Sequence, residues 1–144
     1  MTKLEFLQEF IKYDYKHKME LAINAGKMLS DLFLTPEEYL DFMRISSAFF
    51  SAADSVVHES EVKVYNKVTG DDLSYDAFYK ITRALLKNEE LLKSYWALIN
   101  GFQNDVRIYL SFYVLTVMSS DNDLSDEELQ IVFPILPEIL PDNL

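Results

Sequence analysis

Two short stretches carry the side chains best suited to do chemistry. "AADSVVHESE" spans positions 52–61 and "SSDNDLSDEE" spans positions 119–128. Each sets an aspartate where an apolar segment ends, Asp54 and Asp121, and a glutamate seven positions later, Glu61 and Glu128. Clustered carboxylates are hard oxygen donors and suit calcium or magnesium rather than zinc. The second stretch offers Asp121, Asn122, Asp123, Asp126, Glu127 and Glu128 as candidate ligands of a divalent cation, and Asp54 and Glu61 join them if the two halves pack about a pseudo-two-fold axis. The same spacing also has a purely structural reading. An aspartate in a turn accepts backbone N–H groups across it. A glutamate at the third position of the next helix reaches back to a free N–H and sits favourably in the helix dipole.

The two stretches align without a gap at an offset of 67 positions, Asp54 on Asp121 and Glu61 on Glu128. Val57 then falls on Leu124, Val62 on Leu129 and Val64 on Ile131. Each copy follows a long apolar segment, so the repeating unit is a long helix, an acid-bearing turn and a short capped helix. Val57 and Leu124 are expected to point inward and pin their turns to the core.

"SAADSVVHESE" and "MSSDNDLSDEE" resemble the paired A-D-G-x-hydrophobic-x-x-x-E motif of the TerB-like proteins, the tellurite-resistance protein TerB and its relatives. The resemblance covers roughly residues 38–133. The small residue before the aspartate is kept, as Ala53 and Ser120. The family's glycine after it is Ser55 in the first copy and Asn122 in the second. Asn tolerates a left-handed turn and Ser does so poorly, so the first turn is expected to differ in shape. The resemblance implies an all-helical fold of two related halves and a role in stress or chemical resistance as a binding or scaffold module. It also implies that the motif acids, Asp54, Glu61, Asp121 and Glu128, bind a metal.

Other chemistries find no support. Asp121, Asp123 and Ser125 fall at positions one, three and five of an EF-hand loop. Position six is Asp126 where glycine is required, and position twelve is Val132 where a glutamate is required. His17 and His58 are the only histidines; His58, beside Glu59, has the chemistry of a metal ligand, but it aligns with Ser125 and is read as a helix cap or an exposed residue, and His17 lies among lysines and is expected to face solvent. No serine has a paired histidine and acid at readable spacing, and there is no glycine-rich phosphate loop. The protein is read as non-enzymatic.

The elements that must position these acids are helices. Thr2 caps a first segment whose apolar stripe is read as Leu4, Leu7, Ile11 and Tyr15. A further segment, Glu20 to Phe33, carries Leu21, Met28, Leu29 and Leu32, and Gly26 bends it or admits a neighbour closely. One helix and two both remain open for this region. "TPEE" starts the next, with Thr35 as cap, Pro36 in the first helical position and Glu38 closing a capping box. It is read to run to about Ala53, with Leu40, Met43 and Phe50 facing inward. Glu59 opens a short helix that Gly70 ends. Ser74 and Asn88 cap two more, and Gly101 closes the second. A long apolar helix follows from about Gln103 to Ser119, with Tyr109, Phe112 and Tyr113 in the core; Trp96 is read as buried too. Ser125 and Glu128 form a capping box for "DEELQIVF". Pro134 and Pro137 then stop regular helix, and the tail packs back.

The expected fold is all-α, a compact bundle of about seven helices with two related helix–acidic turn–helix halves. The chain of 144 residues is read as one domain. Residues 1–34 form an N-terminal helical extension, 35–70 the first repeat and 103–136 the second. Composition agrees: 49% of residues are hydrophobic, while three glycines and four prolines are too few for a many-turned β protein. The absence of cysteine removes disulfides and thiolate metal sites and fits a cytoplasmic location. A formal net charge of −11 argues against nucleic acid and anionic membranes. The uncharged run from Ile108 to Ser120 is too short to insert in a bilayer.

Three functions follow as expectations. The first is a TerB-like module that binds a divalent cation, a protein partner or both through its paired acidic turns. The second is a carboxylate-using enzyme or small-ligand carrier with a helical cavity. The third is a regulatory interaction protein whose acidic turns are structural, offering an exposed patch on Leu4, Leu7 and Ile11. The partner in the first and third is unidentified, a second copy of the chain being one candidate.

Overall fold

The structure, a computed structural model, describes residues 1–51, 57–120 and 124–144. Among them are eight α-helices, a short 3-10 turn and no strand. The helices are α1 (Lys3–Ile11), α2 (Tyr15–Ser30), α3 (Pro36–Ser51), α4 (Glu59–Thr69), α5 (Tyr75–Leu86), α6 (Glu89–Asn100), α7 (Asn104–Met118) and α8 (Asp126–Gln130). The 3-10 turn is Phe133–Ile135. The all-α expectation holds. The count rises from seven because the N-terminal region is two helices, with Asp14 capping the second by accepting from His17 N at 2.8 Å.

Most boundaries follow local signals. Thr2, Thr35, Ser74, Asn88 and Ser125 each accept from a backbone N–H three residues on. Gly70 ends α4 at φ 77°, a conformation in which a side chain would be strained. α8 is shorter than the sequence suggests. Its helix stops at Gln130, and Pro134, which has no N–H to give, turns the chain into a 3-10 turn.

α7 is the centre. Every residue from Tyr113 to Met118 is buried, so this segment has no solvent face. It packs against α2, α3, α4 and the 3-10 turn. Its polar residues bond internally: Ser111 Oγ donates to Ile108 O at 2.6 Å and Thr116 Oγ1 to Phe112 O at 2.7 Å. The tail does pack back, burying Ile135, Leu136 and Leu140.

Two apolar assignments are corrected, the stripe of α1 and the burial of Trp96. α1 buries Phe6, Leu7 and Phe10, whereas Leu4 and Tyr15 are exposed. Phe6 and Phe10 both stack on Phe112 at 6.0 Å, and two aromatic rings bury more area than the aliphatic stripe read from sequence. α2 turns a small face inward, Ala22, Ala25 and Gly26 beside Met19 and Leu29, and leaves Met28 and Leu32 outside. Gly26 is the point of closest approach: a Cβ there would lie 2.6 Å from Val68 Cγ1 of α4. Trp96 is only half-buried, edge-on to Phe49 and Tyr95. No helix among the described residues is long and apolar enough to cross a membrane.

Candidate functional site

Glu61 and Glu128 each stand at the third position of a helix, as the repeat requires. Glu61 is buried, and its Oε1 accepts His58 N at 2.9 Å. Glu128 Oε1 accepts Ser125 N at 3.4 Å and the Ser125 hydroxyl at 3.1 Å, while Ser125 Oγ accepts Glu128 N at 3.2 Å. Both glutamates thus hold free amides at a helix start, where the dipole favours negative charge. Asp54, Asp121 and Asp123 lie outside the described residues. Among the described residues no group of three His, Asp or Glu side chains is placed to hold a metal.

The ends of the two copies meet. Ser120, the last described residue before Asp121, lies 3.0 Å from Ser60 in the first turn of α4, oxygen to oxygen. The Ser120 hydroxyl also donates to Val117 O at 2.8 Å. Val57 and Leu124 are partly buried against the core, and Tyr75 Oη donates to Val57 O at 2.8 Å, tying the start of α5 to the first turn's exit. His58 is the N-cap residue of α4. His17 is exposed and stacks on Tyr13 at 4.0 Å.

The buried polar side chains away from these turns are largely structural. Ser46 and Ser47, adjacent on α3, take up two tyrosines: Tyr95 Oη donates to Ser46 Oγ at 2.8 Å, and Tyr113 Oη lies 2.6 Å from Ser47 Oγ. Burial pushes both phenols above their usual range, so neither supplies a base near neutral pH. Arg44 donates to Asp71 at 2.7 Å and to Tyr65 Oη at 2.8 Å, and Tyr65 donates to Asp71 at 2.8 Å. Burial alone would raise the Asp71 carboxyl, but the Arg44 and Tyr65 hydrogen bonds outweigh it and hold it below its ordinary value. This triad fastens the end of α4 to α3.

Among the concave surfaces of the described residues, two bear on function. One, of about 240 Å³, is lined by Ile11, Tyr13, Asp14, Tyr15 and Lys18 of the α1–α2 corner and by Thr116, Ser119, Ser120 and Leu124. Lys18, one of the lysines around His17, is only 8% exposed. The other is an apolar groove floored by Phe33, Phe42, Ile45, Leu91 and Leu98, with Glu38 and Asp41 on its rim. The exposed Leu32 and Leu34 flank Phe33 in the chain. The patch expected on Leu4, Leu7 and Ile11 does not form, because Leu7 is fully buried.

The class this defines is an all-α bundle around one buried helix. Comparison with known proteins adds no narrower assignment: no family model, no curated protein and no solved structure matches the chain.

Proposed function

We propose that the chain is a TerB-like, non-enzymatic binding module that takes up a divalent cation, calcium or magnesium, where its two acidic turns come together. The observation that carries this reading is the Ser60–Ser120 contact, which brings the start of one copy's short helix against the end of the other copy's long helix. With Glu61 and Glu128 engaged as caps, the reading gives the turn aspartates Asp54, Asp121 and Asp123 the larger share of the ion. A protein partner is the second element. The apolar groove with its acidic rim and the 94% exposed Leu34 favour a partner over an enclosed reaction site.

The test is thermal melting of the metal-stripped chain titrated with calcium, magnesium, manganese and zinc, beside Asp54→Asn and Asp121→Asn. An ion held at one hundred times its Kd stabilises the folded state by about 2.7 kcal/mol, a melting rise of roughly 5–10 °C for a chain of this size. Loss of that rise in either variant supports the site. No rise with any ion refutes the cation reading and leaves the turns as structural caps.

A further inference from the structure

The pocket at the α1–α2 corner holds a lysine in an unusual setting. Lys18 falls on the buried face of α2, one turn before Ala22, and only 8% of it is exposed. Its ammonium lies 5.7 Å from the centre of the Phe10 ring and makes no ion pair or hydrogen bond with a described residue. Burial lowers its proton affinity, with no carboxylate among the described residues to offset the effect. A buried cation without a counter-ion costs stability, and proteins rarely keep one without a use. The chain has Asp and Glu in large excess, yet none among the described residues is paired with this group.

A second polar group waits in the same wall. Ser119, at the end of α7, is buried, and its Oγ has no hydrogen-bond partner among the described residues. Thr116, next to it in the lining, is satisfied through Phe112 O. The rest of the lining is apolar or aromatic, Ile11, Leu124, Tyr13 and Tyr15, apart from Ser120 and Asp14. Asp14 already spends Oδ1 on the cap of α2.

We propose that this pocket binds a small monocarboxylate with a short apolar or aromatic body, its carboxylate on the Lys18 ammonium and the Ser119 hydroxyl. The volume of about 240 Å³ equals roughly eight waters at about 30 Å³ each, the scale of a benzoate-sized molecule. Lys18 is the one positive side chain among the described lining residues, and Asp14 adds a negative one, so a dianion such as phosphate is disfavoured. The tyrosines flank the apolar body, and the ligand supplies the counter-charge that the described residues do not. This site adjoins the turn assigned to the cation, since Ser120 and Leu124 line it, but it does not depend on that reading and is tested in the metal-free chain.

The experiment titrates the full metal-free chain with sodium acetate, butyrate, benzoate and inorganic phosphate, each against sodium chloride at equal ionic strength. Amide chemical shifts are followed by nuclear magnetic resonance. Lys18→Met and Ser119→Ala run beside the parent. The expected result is saturable movement of amides in residues 13–18 and 116–120 with butyrate or benzoate, with a Kd on the order of millimolar. Binding should weaken roughly tenfold or more in Lys18→Met and less in Ser119→Ala. Lys18→Met should melt at or above the parent without ligand, since it removes an unpaired buried charge, and that separates loss of binding from loss of fold. Three results overturn the proposal: no saturable response to any monocarboxylate, an equal response in Lys18→Met, or phosphate or chloride acting as well as benzoate.

Discussion

Gly26→Ala tests the contact that sets α2 against α4, and so the positions of both Lys18 and the helix that begins at Glu59. In an unobstructed helix interior, alanine in place of glycine would stabilise by about 1 kcal/mol. Here the new Cβ meets Val68 Cγ1 at 2.6 Å, Tyr39 Oη at 3.0 Å and Val68 O at 3.3 Å. Valine in a helix holds one preferred rotamer, so Cγ1 cannot swing away cheaply. The carbonyl belongs to α4 itself. Overpacking of this kind costs about 1–3 kcal/mol. Setting that against the helix gain leaves a net loss of about 1–2 kcal/mol, the upper end of the steric range prevailing because two of the three contacts cannot yield independently. The melting point should fall by roughly 3–8 °C. Val68→Ala removes the nearest atom and leaves contacts of 3.0 and 3.3 Å. In the double variant, Gly26→Ala should therefore cost less than in the parent, with a coupling of about 1 kcal/mol. Urea unfolding of the four proteins gives the cycle. A Gly26→Ala variant as stable as the parent, or costs that simply add, would refute the close approach of α2 to α4.

Two further perturbations probe the polar ties. Asp71→Asn should destabilise by about 1–2 kcal/mol at pH 7, a hydrogen-bonded charge discounted for its partial exposure. Because the native carboxyl is held below its ordinary 3.8, its contribution is complete above that pH and is lost as pH falls through the lower native value. The stability gap between parent and variant should thus close in acid; a gap unchanged down to pH 3 would contradict the triad. Ser47→Ala leaves the Tyr113 hydroxyl buried without its partner and should cost about 1–3 kcal/mol. Tyr113→Phe should cost less, because Ser47 Oγ still donates to Met43 O at 2.7 Å. In the double variant the two losses should fall short of their sum, and strict additivity in urea unfolding would count against the 2.6 Å contact.

The parts of this fold legible in the sequence were those decided within four residues. The caps at Thr2, Thr35, Ser74, Asn88 and Ser125 and the stop at Gly70 are local bargains between one side chain and one amide, and each stands where the residue types put it. The same holds for Glu61 and Glu128, whose helix positions followed from the repeat. What failed was the choice of face. Leu4 and Leu7 look equivalent in sequence, but only Leu7 is buried, because Phe6 and Phe10 claim the ring of Phe112 more than a hundred positions away. Tyr95 and Tyr113 reach serines on α3 through long-range packing that no local pattern announces.

Lys18 is the instructive case, since a signal for it was present. "KYDYKHKM" reads as a solvated basic patch when its lysines are taken together. Taken by helical spacing, they separate. Positions 18, 22, 25 and 29 lie on one face, and three of them are Ala22, Ala25 and Leu29. Lys12 and Lys16 fall elsewhere and are exposed. A lysine that keeps the register of an apolar stripe must either reach past the core to water or be buried with its charge. The second outcome is the one the structure shows. Ala22, Ala25 and Gly26 continue the buried face that Lys18 begins, Lys18 itself is only 8% exposed, and it lines the pocket beside Ser119. Among the described residues no carboxylate pairs with this lysine, so its charge faces the pocket without a counter-ion from them.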